Sequence, residues 1–214
     1  MWQSVAVSAN TEFMKQLAAH IAPALKAEGF RKRGTSFNRT VGEGVVHVIE
    51  YFMSPWGSGT FTAEVGVYIP GSFNDDIQPA NWTRMHQCLL QWGVAYLMPA
   101  GEFRQFEPTL EEAAEAESAV LGPGLAQLDL YPDARHVLND HYSSSIRKGF
   151  FNPLGSLEIG LIHLHLGETE RAESEVTTFL SSRGSQPSKE YTEKLRRRLR
   201  ELGLGHISVE PTRH

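Results

Sequence analysis

Between Phe61 and Ile69 apolar and polar positions alternate: Phe61, Ala63, Val65, Val67 and Ile69 against Thr62, Glu64, Gly66 and Tyr68. A period of two is that of a strand with one buried face. Upstream, Val45–Met53 is apolar at positions of both parities, which predicts a central strand. A first strand carrying Phe37 is expected between Arg31 and Val41. Two short glycine-bearing links, Gly42-Glu43-Gly44 and Ser54–Gly59, join the three, and tight links in succession make an antiparallel meander. Ahead of it, Phe13, Leu17, Ile21, Ala24 and Leu25 recur at helical spacing. They predict a helix capped by Asn10 or Thr11, kinked or split at Pro23 and stopped at Gly29. That helix should cover the apolar face of the sheet.

Gly71–Pro79 has the composition of a loop. Trp82–Met98 fits a helix followed by a strand, or a longer strand region; a fourth strand near Gln87–Leu97 is the reading taken. Beyond Pro99 the period becomes helical. Thr109 and Glu112 make a capping-box signature ahead of a helix over Leu110–Leu121, which Gly122-Pro123-Gly124 should break. A short helix is expected over Pro132–Tyr142. A pair follows, Leu154–Leu166 and Glu168–Ser181, turned at Gly167 and therefore antiparallel. Leu157, Leu161 and Leu164 line one member; Ala172, Val176, Phe179 and Leu180 line the other. Pro187 should open a last helix with a Tyr191, Leu195, Leu199 and Leu202 seam. The pair has the form of one helical-repeat unit, but no second copy recurs at a fixed period, so a solenoid is excluded.

The expectation is an α+β fold: an antiparallel three- to four-stranded meander covered by an N-terminal helix, with a C-terminal helical layer. All of 1–214 should form a single domain, with helix and sheet in 1–100, a helical layer in 101–205 sharing the core, and a loose tail over 206–214.

Composition changes this picture little. Hydrophobic residues are 41% and charged residues 21% of the 214, as in ordinary globular chains. The net charge of −5 argues against a dedicated nucleic-acid binder. With one cysteine, Cys88, no internal disulfide can form, and a reducing compartment is expected. The first residues carry no secretion-signal pattern, and no apolar run approaches the ~20 residues of a membrane span. A cytoplasmic location follows as an expectation.

One stretch resembles a known family. Leu25-Lys26-Ala27-Glu28-Gly29-Phe30-Arg31-Lys32-Arg33-Gly34, followed by Ser36-Phe37, is similar to the opening of a bacterial family catalogued only as domain of unknown function 4304. Trp56-Gly57, Phe61-Thr62 and Gly66–Pro70 resemble its third strand, and the helix pair around Leu164–Glu168 resembles its C-terminal part. The resemblance implies a fold and no chemistry, since its motifs are structural glycines and aromatics. The family pattern has a glutamine on the second strand where this chain has Glu50, so any role tied to that amide does not carry over.

The polar face of the sheet is the candidate site. Glu50, Glu64 and Tyr68 should share it, with Arg31 or Arg33 nearby, giving either an ion-pair network or a ligand clamp. A solvated sheet face with cross-strand pairs is the plainer alternative. Trp56, Trp82, Trp92 and Tyr68 are the aromatics available for a contact patch, with core packing the default for at least two of the tryptophans. Arg31-Lys32-Arg33 and Arg39 read as a charged edge strand protected from aggregation. The arginines between Lys194 and Arg200 read as the solvated face of a helix. Neither His163 with His165 nor His136 with His141 has the spacing of a helical zinc site, and no metal or cofactor is expected. His47 reads as a satisfied structural histidine. Cys88 reads as a buried small hydrophobe, with a Cys88–His86 pair as the sharper alternative.

No reaction is written in these residues. The reading taken is a non-enzymatic protein-binding module of the bacterial cytosol, for example a toxin-neutralising partner, with Arg33, Glu50, Glu64, Tyr68 and Trp56 as its binding residues. Two alternatives stay open: a small-ligand protein or enzyme using the same face, and a nucleic-acid-associated protein using the basic C-terminal helix.

Overall fold

Helix α1 runs from Trp2 to Ala27, starting well ahead of the expected caps, and passes through Pro23 undivided. Pro23 lies on the exposed side, while Leu17, Ile21 and Leu25 are buried on the other. Packing of that buried stripe outweighs the one backbone bond that proline removes. Gly29, at φ 85°, ends the helix. Phe30 N–H donates back to Leu25 O and Gly29 N–H to Lys26 O, both at 3.0 Å, the paired bonds of a left-handed glycine stop. The computed structural model describes residues 2–54, 59–71, 82–99, 101, 104–142, 156–182 and 189–207.

The sheet has five strands in sequence order, each pair antiparallel: β1 (Arg31–Arg33), β2 (Ser36–Thr40), β3 (Val46–Met53), β4 (Phe61–Tyr68) and β5 (Leu90–Gly93). The expected first strand is thus two strands, because Gly34 at φ 64° turns the chain between Arg33 and Ser36. That adds a strand to the three or four anticipated. The expected strand near Gln87–Leu97 is confined to four residues and leads directly into a short helix, α2 (Val94–Leu97).

Thr109 caps α3 (Leu110–Ala119) by accepting from Glu112 N–H. The Gly122-Pro123-Gly124 sequence does not break this helix. It forms a π-helical turn, Val120–Gly124, that carries the chain into α4 (Leu125–Asp129). The wider turn accommodates Pro123, and a side chain at Gly124 would press to 3.1 Å from Ala119 O and 3.3 Å from Val65 Cγ1. Then follow α5 (Ala134–Tyr142), α6 (Ser156–His165), α7 (Thr169–Ser182) and α8 (Lys189–Glu201).

The inner face of the sheet, including Phe37, Ile49, Tyr51, Val65 and Trp92, packs under α1 and α3 in one apolar cluster. Leu157 and Leu161 of α6, Val176 of α7 and Leu195 and Leu199 of α8 make a second. Helix α6 serves both, since Ile159 and Ile162 belong to the first. Trp56, most of the Ser54–Gly59 link, the loop after Gly71, Pro187 and the tail from 208 lie outside the described residues.

Candidate functional site

Strand register decides which side chains share the outer face. Arg33 pairs with Ser36, Ser36 with Glu50, Glu50 with Glu64 and Glu64 with Gly93, one row across all five strands. Val46 pairs with Tyr68 on the same side. The expected grouping of Arg33, Glu50, Glu64 and Tyr68 on one face therefore stands in the register, with Trp56 outside the described residues.

The face is not the wet surface expected of its alternation. Glu50, Thr62 and Tyr68 are all less than a tenth exposed. The segment Trp82–Leu89 lies over them, with a 3-10 turn at Met85–Gln87. Gly66 makes this approach possible: a Cβ there would meet Met85 Sδ at 2.8 Å and Cys88 Sγ at 2.9 Å. Val48, Tyr68, Met85 and Cys88 close into a small apolar cluster. Trp82 Nε1–H donates to buried Ser36 Oγ at 3.2 Å. Burial, with the charges of Glu50 and Glu64 beside it, drives the Cys88 thiol well above its ordinary pKa. His86 is exposed while Cys88 is buried, so the two do not act as a pair.

Under this cover the two carboxylates differ. Arg84 Nη2 reaches Glu50 Oε1 at 2.5 Å, and Met85 N–H donates to Glu50 Oε2 at 2.9 Å. Arg31 or Arg33 is the arginine the sequence places here, and Arg33 is the one in the row of Glu50. It is exposed on β1, two strands from Glu50, roughly 9–10 Å by strand spacing. Arg84 takes its place because the covering segment, an irregular stretch with one 3-10 turn, brings a cation down from above. Glu64, directly opposite Glu50, has no hydrogen-bond or ion-pair partner among the described residues. Partial burial, and then the charge of Glu50, raise its pKa to about 7.

Arg39 does not belong to a charged edge. It stands in the inward-facing row with His47. Its Nη2 donates to Asp129 Oδ1 at 2.5 Å and to His47 Nδ1 at 3.0 Å, and its guanidinium lies 4.8 Å from the Phe30 ring centre. His47 Nε2–H donates to Tyr131 O at 2.8 Å. Both ring nitrogens are thus used in the neutral form, and burial lowers the pKa. This is the structural histidine expected. On α8, Arg197 and Arg198 pair with Glu201, and Arg198 also donates to Gly71 O.

A second polar cluster was not anticipated. A glycine stop at Gly167, φ 74°, turns the chain so that Glu168 N–H donates to His163 O at 2.9 Å. The same fold-back sets Glu168 Oε2 2.7 Å from His163 Nδ1. His163 is only 2% exposed, and its Nε2 lies 2.9 Å from the Tyr142 hydroxyl. Arg135 at 2.9 Å and Arg171 at 3.2 Å also bind Glu168. The His163 bond first, then that of Arg135, holds the Glu168 pKa at about 2. His165 turns elsewhere, to Glu43 O at 2.9 Å. The legible signal was a histidine five residues before a glutamate with the helix-ending glycine between them. Among the described residues no three His, Cys, Asp or Glu side chains gather as a metal site requires, and no helix is long and apolar enough to cross a membrane.

Residues 21–104 match the family model of a domain of unknown function, DUF4304. The matched span holds the end of α1, the whole sheet and α2, and stops before α3; the helix pair that resembled the family lies beyond it. Neither curated proteins nor solved structures gave a match.

Proposed function

We propose that the chain is a protein-binding module, and that the outer face of its sheet around Glu64 and Arg84 is the contact surface. The observation that carries this reading is the uneven pairing of two opposed carboxylates. Like charges directly opposite on neighbouring strands repel. Arg84 and Met85 N–H relieve Glu50, and Glu64 is left half-buried with a proton or a cation still to be gained. A lysine or arginine side chain of a partner supplies that cation. Arg31 and Arg33, exposed on the edge strand, and half-exposed Arg84 form a basic rim for acidic groups of the same partner. Such mixed charge favours orientation and selectivity over bulk affinity. By analogy of size and composition, a toxin neutralised by occlusion is one such partner.

The test is capture from the native cell with the wild-type chain and with Glu64→Lys, followed by remaking any complex from purified components. The reading expects a stoichiometric complex that Glu64→Lys weakens at least tenfold, the size of a lost close charge pair. Repeated capture that yields no reconstitutable partner, or a complex indifferent to Glu64→Lys, overturns it.

A further inference from the structure

Tyr142, His163 and Glu168 form a hydrogen-bonded chain away from the sheet face, and the binding reading does not use it. Three observations give it a chemical direction. First, access is graded: Tyr142 is 57% exposed while His163 is 2% exposed. A reagent can meet the phenol, and the imidazole behind it is shielded from water. Second, the ring nitrogens are assigned by their neighbours. Glu168 Oε2, an acceptor at 2.7 Å, fixes the hydrogen on Nδ1, so Nε2 faces the Tyr142 hydroxyl at 2.9 Å as an acceptor. Third, Arg135 and Arg171, 52% and 69% exposed at their side chains, bind the same carboxylate and keep it ionised as the acceptor of the Nδ1 hydrogen.

We propose that Tyr142 is a nucleophilic tyrosine, with His163 as its general base and Glu168 as the positioning residue, and that it accepts a phosphoryl-type group from an activated donor in a single stoichiometric transfer. The arrangement of hydroxyl, imidazole and carboxylate is that of a base-assisted nucleophile, with each link inside hydrogen-bond reach. Tyr142 Oη attacks phosphorus, and the Oη–P bond forms. The bond to the leaving group breaks and that group departs with the electron pair. The hydroxyl proton passes to His163 Nε2, and Glu168 stabilises the imidazolium through Nδ1–H. Nothing is oxidised or reduced.

The phenol need not be ionised at rest. Burial and the neighbouring Glu175 raise the Tyr142 pKa, so the proton stays on oxygen until the base removes it during attack. Glu175 Oε1 competes for that hydroxyl at 3.4 Å, a weaker contact than the one to His163. At the hydroxyl the charge of Glu175 outweighs that of Arg171, so the donor this site takes is an uncharged phosphorus ester, of the kind a fluorophosphonate presents, and not a phosphate anion. This inference does not rest on the binding role of the sheet face.

The test treats the full chain with a fluorophosphonate probe, whose leaving group is fluoride, and maps adducts by mass spectrometry. The chain has six tyrosines. Tyr142 is expected to be modified at least about a hundredfold faster than a free tyrosine amide in the same reaction, the low end of what a positioned base supplies. His163→Gln and Glu168→Gln should each slow it, and Tyr142→Phe should abolish that adduct. If a variant does not fold, the wild-type pH profile still decides. Under base assistance the rate levels off well below the ionisation range of the phenol, instead of climbing through it. A Tyr142 rate no faster than that of the free tyrosine amide, or one that follows phenol ionisation, overturns the proposal.

Discussion

Glu50 and Glu64 face each other across β3 and β4, yet among the described residues only Glu50 has a cation of its own. The asymmetry comes from outside the sheet, because Arg84 descends on the covering segment and lies over one carboxylate. The same segment seals the face, so Glu64 is left half-buried beside a neighbour of like charge.

Glu64 should therefore make stability depend on pH near neutrality. Its folded pKa of about 7 lies above the ordinary 4.5. Between those values the native chain binds more protons than the unfolded chain, so this contribution is complete below about pH 4.5 and is lost as pH rises to about 7. Glu64→Gln should remove the slope and leave the variant more stable than wild type above pH 7. After allowance for screening of a half-buried group, the gain is on the order of 1–2 kcal/mol. Urea unfolding at pH 5 and pH 8 checks this; parallel losses in both proteins would refute it.

Glu168 predicts the opposite sign in a lower window. Its folded pKa of about 2 lies below the ordinary 4.5. Its contribution is present above about pH 4.5 and disappears as pH falls toward 2. Glu168→Gln should flatten acid unfolding in that range and leave the neutral slope set by Glu64 unchanged. Side-chain carboxyl NMR titration of both residues would separate the two windows. A Glu168 midpoint near 4.5 would show that the His163 and Arg135 bonds do not persist in solution.

Gly66 is a packing residue of the candidate site. A methyl group there would stand 2.8 Å from Met85 Sδ and 2.9 Å from both Cβ and Sγ of Cys88. Met85 can swing its thioether, but Cys88 is fully buried and cannot yield without moving the backbone of the turn. Gly66→Ala should cost about 1–3 kcal/mol, the range for overpacking. It should also expose Cys88 to thiol reagents. Unchanged stability together with a protected thiol would mean the segment sits further from the sheet than it does here.

Much of this was legible from side-chain period alone. The alternation of β4 assigns Glu64 and Tyr68 to one face, and the register sets Glu50 opposite Glu64 and Val46 opposite Tyr68 on that face. Tight links gave the meander, and Gly29 and Gly167 gave helix ends whose left-handed φ values only glycine adopts freely. What was not legible has a common cause: local pattern does not say which distant segment lands on a surface. Trp82–Leu89 fits helix and strand alike, so nothing announced that it would cover the sheet or that Arg84 and not Arg31 or Arg33 would meet Glu50. Arg39 read as edge charge because its partner, Asp129, is ninety positions away. Gly122-Pro123-Gly124 read as a break because a π-helical turn held by packing on Val65 leaves no local mark.

Arg84 gives the last prediction. Glu50 is 5% exposed, so removing its cation leaves a buried charge held by one backbone N–H. Arg84→Ala should cost about 2–3 kcal/mol, since stripping one partner from a buried pair is worse than losing both. Glu50→Gln should cost less than about 1 kcal/mol, because the amide oxygen still accepts from Met85 N–H and no charge is left behind. The double variant should then resemble Glu50→Gln alone, a coupling that a double-mutant cycle in urea measures directly. Glu50→Gln should also return the Glu64 pKa part of the way toward 4.5, since only the burial contribution remains. If Arg84→Ala proves as mild as Glu50→Gln and the two costs simply add, the ion pair is a surface contact and the covering segment is held by its apolar residues alone.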